Sequence, residues 1–203
     1  IDTDSNSVRS FSWRSIPITD EHCPRDIELE HILDPYKLEA EKKYSRVVTR
    51  LKRKLTHPSW YRETELGGFL ADILQESLRL DMMLVGSGSI RVTELGPIVL
   101  FSNLTECLPY DDSAIALWVT GTQLKKMILY MLRDEVWEGS HCEFFQFSEG
   151  VRVIYNKQSH AFNEFSLCGK PIEDEKIYKI GLQYYFYLNM KDFFSISHEE
   201  VEQ

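Results

Sequence analysis

The stretch "ELGGFLADILQESLRLDMMLVGSGSIRV", residues 65–92, changes its hydrophobic period part-way, and that change decides the fold. Leu66, Phe69, Leu70, Ile73, Leu74 and Leu78 recur at helical spacing and predict an amphipathic helix. The run "MMLV" at 82–85 then predicts a short buried strand, which ends in the turn "GSGS". Gly86 and Gly88 allow positive φ or a close approach of backbone to a ligand. Ser87 and Ser89 add hydroxyls, and Arg91 adds a rigid fork of donors suited to phosphate or carboxylate. "GSGSIR" lacks the spacing of a Walker loop and the third glycine of a dinucleotide fingerprint, so it reads equally as a tight turn with a solvated arginine.

Toward the C-terminus, "PIVLF" (97–101) and the alternating "SAIALWVTG" (113–121) predict strands. A helix follows from about Thr122 to Arg133, with Leu124, Met127, Ile128 and Met131 facing inward. "EFFQFSEGVRVIYN", "EFSLCG" and "KIYKIGLQYYFYL" predict the remaining strands. Helices and strands interleave, but several strands lie too close together for parallel crossovers, so the expectation is a mixed α/β (α+β) fold with a central mixed sheet and packed helices.

Toward the N-terminus, residues 1–33 read as an irregular arm in which "SFSWRSIPIT" forms a short strand. Asp34-Pro35 reads as the start of a long linker helix running to about Leu55, with Leu38, Val47, Val48 and Leu51 as a narrow apolar stripe. The basic segment "TRLKRKLTH" (49–57) is expected to be its charged C-terminal end. The organisation expected is thus an arm at 1–33, a linker helix at 34–58 and a globular domain at 59–203. The chain opens on "IDTDSNSV", without Met or a signal-like apolar run, and reads as part of something longer.

The 203 residues are 43% hydrophobic and carry a net charge of −9, enough for a core and the wrong sign for broad nucleic-acid binding. No apolar run approaches the ~20 residues that span a bilayer. Cys23, Cys107, Cys142 and Cys168 are widely spaced without a CxxC pair, which argues against zinc; they read as buried free thiols, with two long-range disulfides as the alternative. Asp20-Glu21-His22 follows a strand-like run as metallophosphoesterase motifs do, but the further carboxylate, Asn and His steps of a two-metal site are missing, and the segment reads as a surface turn. No serine or cysteine sits in a nucleophile motif, so no catalytic residue is assigned. Tyr110 in "LPYDD" and the aromatics of "QYYFYL" serve a core or, on loops, stack on a nucleobase.

Five blocks, in order from about Tyr61 to Phe194, resemble the C-terminal domain of the 5′-nucleotidase, UDP-sugar hydrolase and cyclic-nucleotide phosphodiesterase family. They are "RETELGGFLADIL", "LVGSGSIR", "LPYDDSAIALWVTGTQLKKMI", "EFFQFSEGVRVIYN" and "LCGKPIEDEKIYKIGLQYY". The resemblance implies a nucleotide- or nucleoside-binding domain that positions substrate for an N-terminal catalytic domain of the same polypeptide. It places two divalent metal ions in that other domain, and neither metal nor other cofactor in this chain. Carried over by position, Arg62 and Arg91 face phosphate or ribose, and Tyr110 and Tyr185 replace two base-stacking phenylalanines. Gly86, Ser87 and Gly88 form the substrate turn. The family's usual Asn in that turn is Gly86 here, two further Asn positions are Glu65 and Gly68, and the closing Gly-Gly-Asp-Gly-Phe is "NMKDFF", with Asp192 its acid. A second reading is a degenerate scaffold or dimerisation module that no longer binds nucleotide.

Overall fold

The computed structural model describes residues 2, 4–137 and 142–201. It divides into two compact units, one up to Tyr44 and one from Ser45 onward.

The first unit contains one helix, α1 (Ile27–Tyr44). It starts seven residues before the expected Asp34, because Asp26 accepts from the Leu29 N–H at 3.0 Å and caps the first turn. Pro35 therefore lies inside the helix. The helix stops at Tyr44, short of the expected Leu55, and none of its residues is buried. "SFSWRSIPIT" is exposed irregular chain rather than a strand.

The second unit opens with β1 (Val47–Arg50) and β2 (Leu55–Thr56), so the basic segment is two short strands and a turn, not a helix end. Valine pairs and threonines suit a pleated surface better than a helix. Next come α2 (Glu65–Leu78), β3 (Met82–Gly86), a 3₁₀ turn at Ser87–Ser89, β4 (Glu94–Leu95), β5 (Ile98–Leu100) and α3 (Phe101–Cys107). They are followed by β6 (Ala114–Thr120), α4 (Gly121–Met131) and α5 (Asp134–Trp137). The chain continues through β7 (Phe145–Phe147), β8 (Val151–Asn156), β9 (Ala161–Leu167) and β10 (Lys170–Pro171). It closes with β11 (Ile177–Gln183), α6 (Tyr184–Leu188), α7 (Met190–Phe194) and α8 (His198–Val201).

The central sheet has the order β6-β11-β3-β7. β3 runs parallel to β11 and antiparallel to β7, and β6 is antiparallel to β11, which is the mixed sheet expected. β8, β9 and β10 form a separate antiparallel sheet; β1 pairs with β5 and β2 with β4.

The core lies on both faces of β3. Met82 and Leu84 join a cluster with Leu124, Met127, Ile128, Ile180 and Leu182. Met83 and Val85 join another with Leu66, Leu70, Ile90 and Val99. A strand covered on both sides reads as an unbroken apolar run, which explains "MMLV". The four expected inward residues of α4 are all buried.

In α2 the buried stripe is Leu66, Gly67, Leu70 and Ala71, whereas Ile73 and Leu78 are exposed. The helix meets the sheet through small residues: a Cβ on Gly67 would fall 2.3 Å from Oε1 of Gln146. The segment "YYFYL", expected as strand, is the helix α6, with only Phe186 buried.

The cysteines are free thiols, but only Cys107 is buried; Cys142 is half-buried, and Cys23 and Cys168 are exposed. Burial pushes the Cys107 thiol up to about 11. Among the described residues no helix is long and apolar enough to cross a membrane.

Candidate functional site

The 3₁₀ turn at the end of β3 is held from behind by a buried polar network. Gln146 on β7 donates from Nε2 to the Arg62 carbonyl at 2.9 Å and to Ser87 Oγ. Its Oε1 accepts from the Thr64 N–H at 2.9 Å. Thr64 in turn caps α2, accepting from the Gly67 N–H at 3.1 Å. His57, 2% exposed, lies 3.2 Å from the Ser87 carbonyl through Nε2 and 2.8 Å from Thr64 Oγ1 through Nδ1. A carbonyl only accepts, so Nε2 carries the proton and Nδ1 accepts from the threonine hydroxyl. Burial holds the His57 pKa below its ordinary value, with the bond to the Ser87 carbonyl opposing it.

In front of the turn lies a cleft of about 910 Å³. Gly88, Ser89 and Arg91 form one wall, Pro109 to Asp112 a second, and Gln183, Tyr185, Phe186 and Phe193 a third, with Trp60, Tyr61, Cys142 and Glu143 completing it. The loop before β6 is tied to the start of α6 here, because Asp112 Oδ2 accepts from the Tyr185 N–H at 3.2 Å. Tyr185 packs edge-on to Phe186 and tilted against Phe193, yet remains 57% exposed; Tyr110 is 55% exposed. Arg91 donates to the Gly88 carbonyl at 3.2 Å and lies over the Trp60 ring, 5.5 Å from its centre.

Of the residues singled out in the sequence, Arg91, Tyr110, Tyr185 and Gly88 line this cleft. Gly86 lies behind it: its N–H donates to Gln183 Oε1 at 2.9 Å, and a Cβ there would fall 2.3 Å from the Phe186 ring. Ser87 is fully buried in the network. Arg62 is exposed and enters the network through its carbonyl; Asp192 is exposed on α7, and neither lines the cleft. Gly86 and Gly88 do not use positive φ; they are small because Phe186 and Glu143 close on them.

Sequence reading missed Glu143, Trp60, Tyr61 and Phe193 on the cleft and His57, Thr64 and Gln146 behind it. Only Gln146 left a trace, as a lone amide inside the aromatic run "EFFQF". Asp20 and His22 lie in an exposed turn where His22 Nδ1 is 3.0 Å from Thr19 Oγ1. Among the described residues no group of three or more His, Cys, Asp or Glu side chains is placed to hold a metal ion.

Comparison with known proteins gives one consistent result. The family model described as 5′-nucleotidase, C-terminal domain, matches residues 41–198. The chain is 28% identical over 140 residues to the uncharacterized metallophosphoesterase YunD of Bacillus subtilis (strain 168), covering 67% of this chain and 29% of that protein. Its fold is like that of a 5′-nucleotidase precursor from Thermus thermophilus, with a TM-score of 0.63 at 16% identity, over 82% of this chain and 35% of that one. It is also like Haemophilus influenzae NAD nucleotidase, with a TM-score of 0.61 at 17% identity, over 84% of this chain and 34% of that one. The chain thus spans about a third of the length of these proteins.

Proposed function

Because this chain belongs to the 5′-nucleotidase C-terminal domain family, we propose that its cleft recognises the nucleoside part of a nucleotide and positions it for a metallophosphatase domain outside this chain. The observation that carries this reading is convergence. Arg91, Tyr110 and Tyr185 come from three separate segments and line one cleft. Two largely exposed tyrosines, Tyr110 on a loop and Tyr185 in the first turn of α6, offer π faces to a base, and Arg91 offers a planar, permanently charged fork. In this reading the hydrolytic metals belong to the other domain, and this chain contributes binding and orientation.

Calorimetric titration of the chain with AMP, adenosine, UMP and UDP-glucose tests the reading, repeated on Arg91→Ala and Tyr110→Ala. The expected result is binding of at least one of them that is lost or strongly weakened in both variants. Failure of all four to bind at millimolar concentration would overturn it in favour of a scaffold module.

A further inference from the structure

The turn that ends β3 carries three backbone amides in succession, and the structure has already used them. The Gly86 N–H donates to Gln183, Ser87 N–H to the Phe144 carbonyl at 2.8 Å, and Gly88 N–H to Glu143 Oε1 at 2.6 Å. A nest of free amides would receive an anion. Here a carboxylate of the chain itself sits on the turn, and a Cβ on Gly88 would fall only 2.9 Å from its second oxygen, Oε2. Burial pushes the Glu143 carboxyl above its ordinary range, while the Gly88 N–H and the Arg91 charge pull the other way.

The chemistry at this end of the cleft is therefore that of an acceptor. One oxygen of Glu143 is taken by the Gly88 amide, and Arg91, its charged neighbour, donates to the Gly88 carbonyl. Gly88 is thus held through both its N–H and its carbonyl, which fixes where the carboxylate sits. A hydroxyl or amine brought to this point would meet an oriented acceptor in the second oxygen of Glu143. Hydrogen bonds to a charged group are the stronger ones and leave the largest penalty when the partner is wrong.

Resting on the nucleoside reading above, we infer that Glu143 determines specificity in the cleft, accepting from a hydrogen-bond donor of the bound nucleoside. The donor is either a ribose hydroxyl or an exocyclic amine of the base, and the two are separable by ligand.

The test is a binding cycle on the full chain with adenosine, 2′,3′-dideoxyadenosine and purine riboside, in the unsubstituted protein and in Glu143→Gln. Glutamine keeps an oxygen for the Gly88 amide and presents an N–H₂ where the second acceptor stood. Adenosine should bind at least tenfold more weakly to Glu143→Gln. One of the two analogues should lose about the same factor against the unsubstituted protein and lose little more in the variant; dideoxyadenosine in that role identifies the ribose, purine riboside the amine. Should Glu143→Gln fail to fold by circular dichroism, Gly88→Ala displaces the same carboxylate and should give the same pattern. Equal adenosine affinity in unsubstituted protein and variant overturns the assignment of Glu143 while leaving the nucleoside reading intact. Absence of nucleoside binding to the unsubstituted protein overturns both.

Discussion

The two sides of the turn at residues 86–89 are built to opposite rules. Behind it, His57, Thr64, Ser87 and Gln146 bond to one another and to backbone in a closed set, and His57, Ser87 and Gln146 are buried. In front of it, Tyr110, Tyr185 and Trp60 each leave about half of their surface to solvent. Buried polar groups are expensive unless fully paired, so the rear network specifies one position for the turn. Exposed aromatics stabilise the fold little and hold their apolar surface available for a ligand. The difference separates residues that place the turn from residues that, in the proposed reading, meet the substrate, and substitution should pull those two roles apart.

The largest effect is expected behind the turn. Gln146→Leu removes the partners of the Thr64 N–H, the Arg62 carbonyl and the Ser87 hydroxyl together; the Ser87 hydroxyl is buried, and a buried group left unsatisfied typically costs ~1–3 kcal/mol. A loss of about 1–3 kcal/mol in denaturant unfolding is the expected outcome. Gly67→Ala should act in the same direction, because its Cβ would overlap the Gln146 side chain. A change below about 1 kcal/mol in both variants would show that the network does not hold the turn.

In front of the turn the expectation inverts. Tyr110→Ala and Tyr185→Ala should move the unfolding midpoint little, by roughly 0.5 kcal/mol or less for Tyr110, since exposed side chains rarely matter more. Nucleoside binding should weaken by about 5- to 100-fold in each, as loss of a stacking aromatic costs ~1–3 kcal/mol. Tyr185 should show the larger stability change of the two because it also packs on Phe186 and Phe193. Variants that unfold easily but bind normally would reverse the assignment of roles.

The contrast also explains what the sequence could reveal. β3, β6 and α4 were legible because each is a period-two or period-3.6 run, or an unbroken apolar one, whose burial follows from local pattern alone. The end of α1 was not, because charges and valines at 43–51 fit a helix face and a short edge pair equally, and the pairing of β1 with β5 spans about fifty residues. α2 was found, but its inner face was misplaced in part: periodicity counts large apolar residues, whereas the buried face takes Gly67, packed on Gln146, and Ala71 beside Leu66 and Leu70. In the site, Arg91 and the two tyrosines stood out through motif and residue type. Glu143 and His57 did not, since a carboxylate or imidazole in a loop gives no sign of which backbone group will meet it.

The finest way to sharpen the comparison is pH, because the two sides carry groups shifted in opposite senses. His57, behind the turn, titrates below its ordinary 6.5 owing to burial. The unfolded chain then binds the proton more readily, so this group's stabilisation is complete above pH 6.5 and is lost as pH falls through its folded pKa. Glu143, in front, titrates above its ordinary 4.5, again chiefly through burial. The folded chain binds that proton more readily, so its stabilisation is complete below pH 4.5 and is lost as pH rises through the raised value. Each group can bend the stability curve by at most about 1.4 kcal/mol per pH unit, which makes this the smallest of the expected effects. Unfolding midpoints measured from pH 4 to 8 should lose the first slope in His57→Gln and the second in Glu143→Gln, independently of each other. If one substitution removed both slopes, the front and back of the turn would be a single coupled unit, and the carboxylate in the cleft would belong with the groups that hold the turn in place.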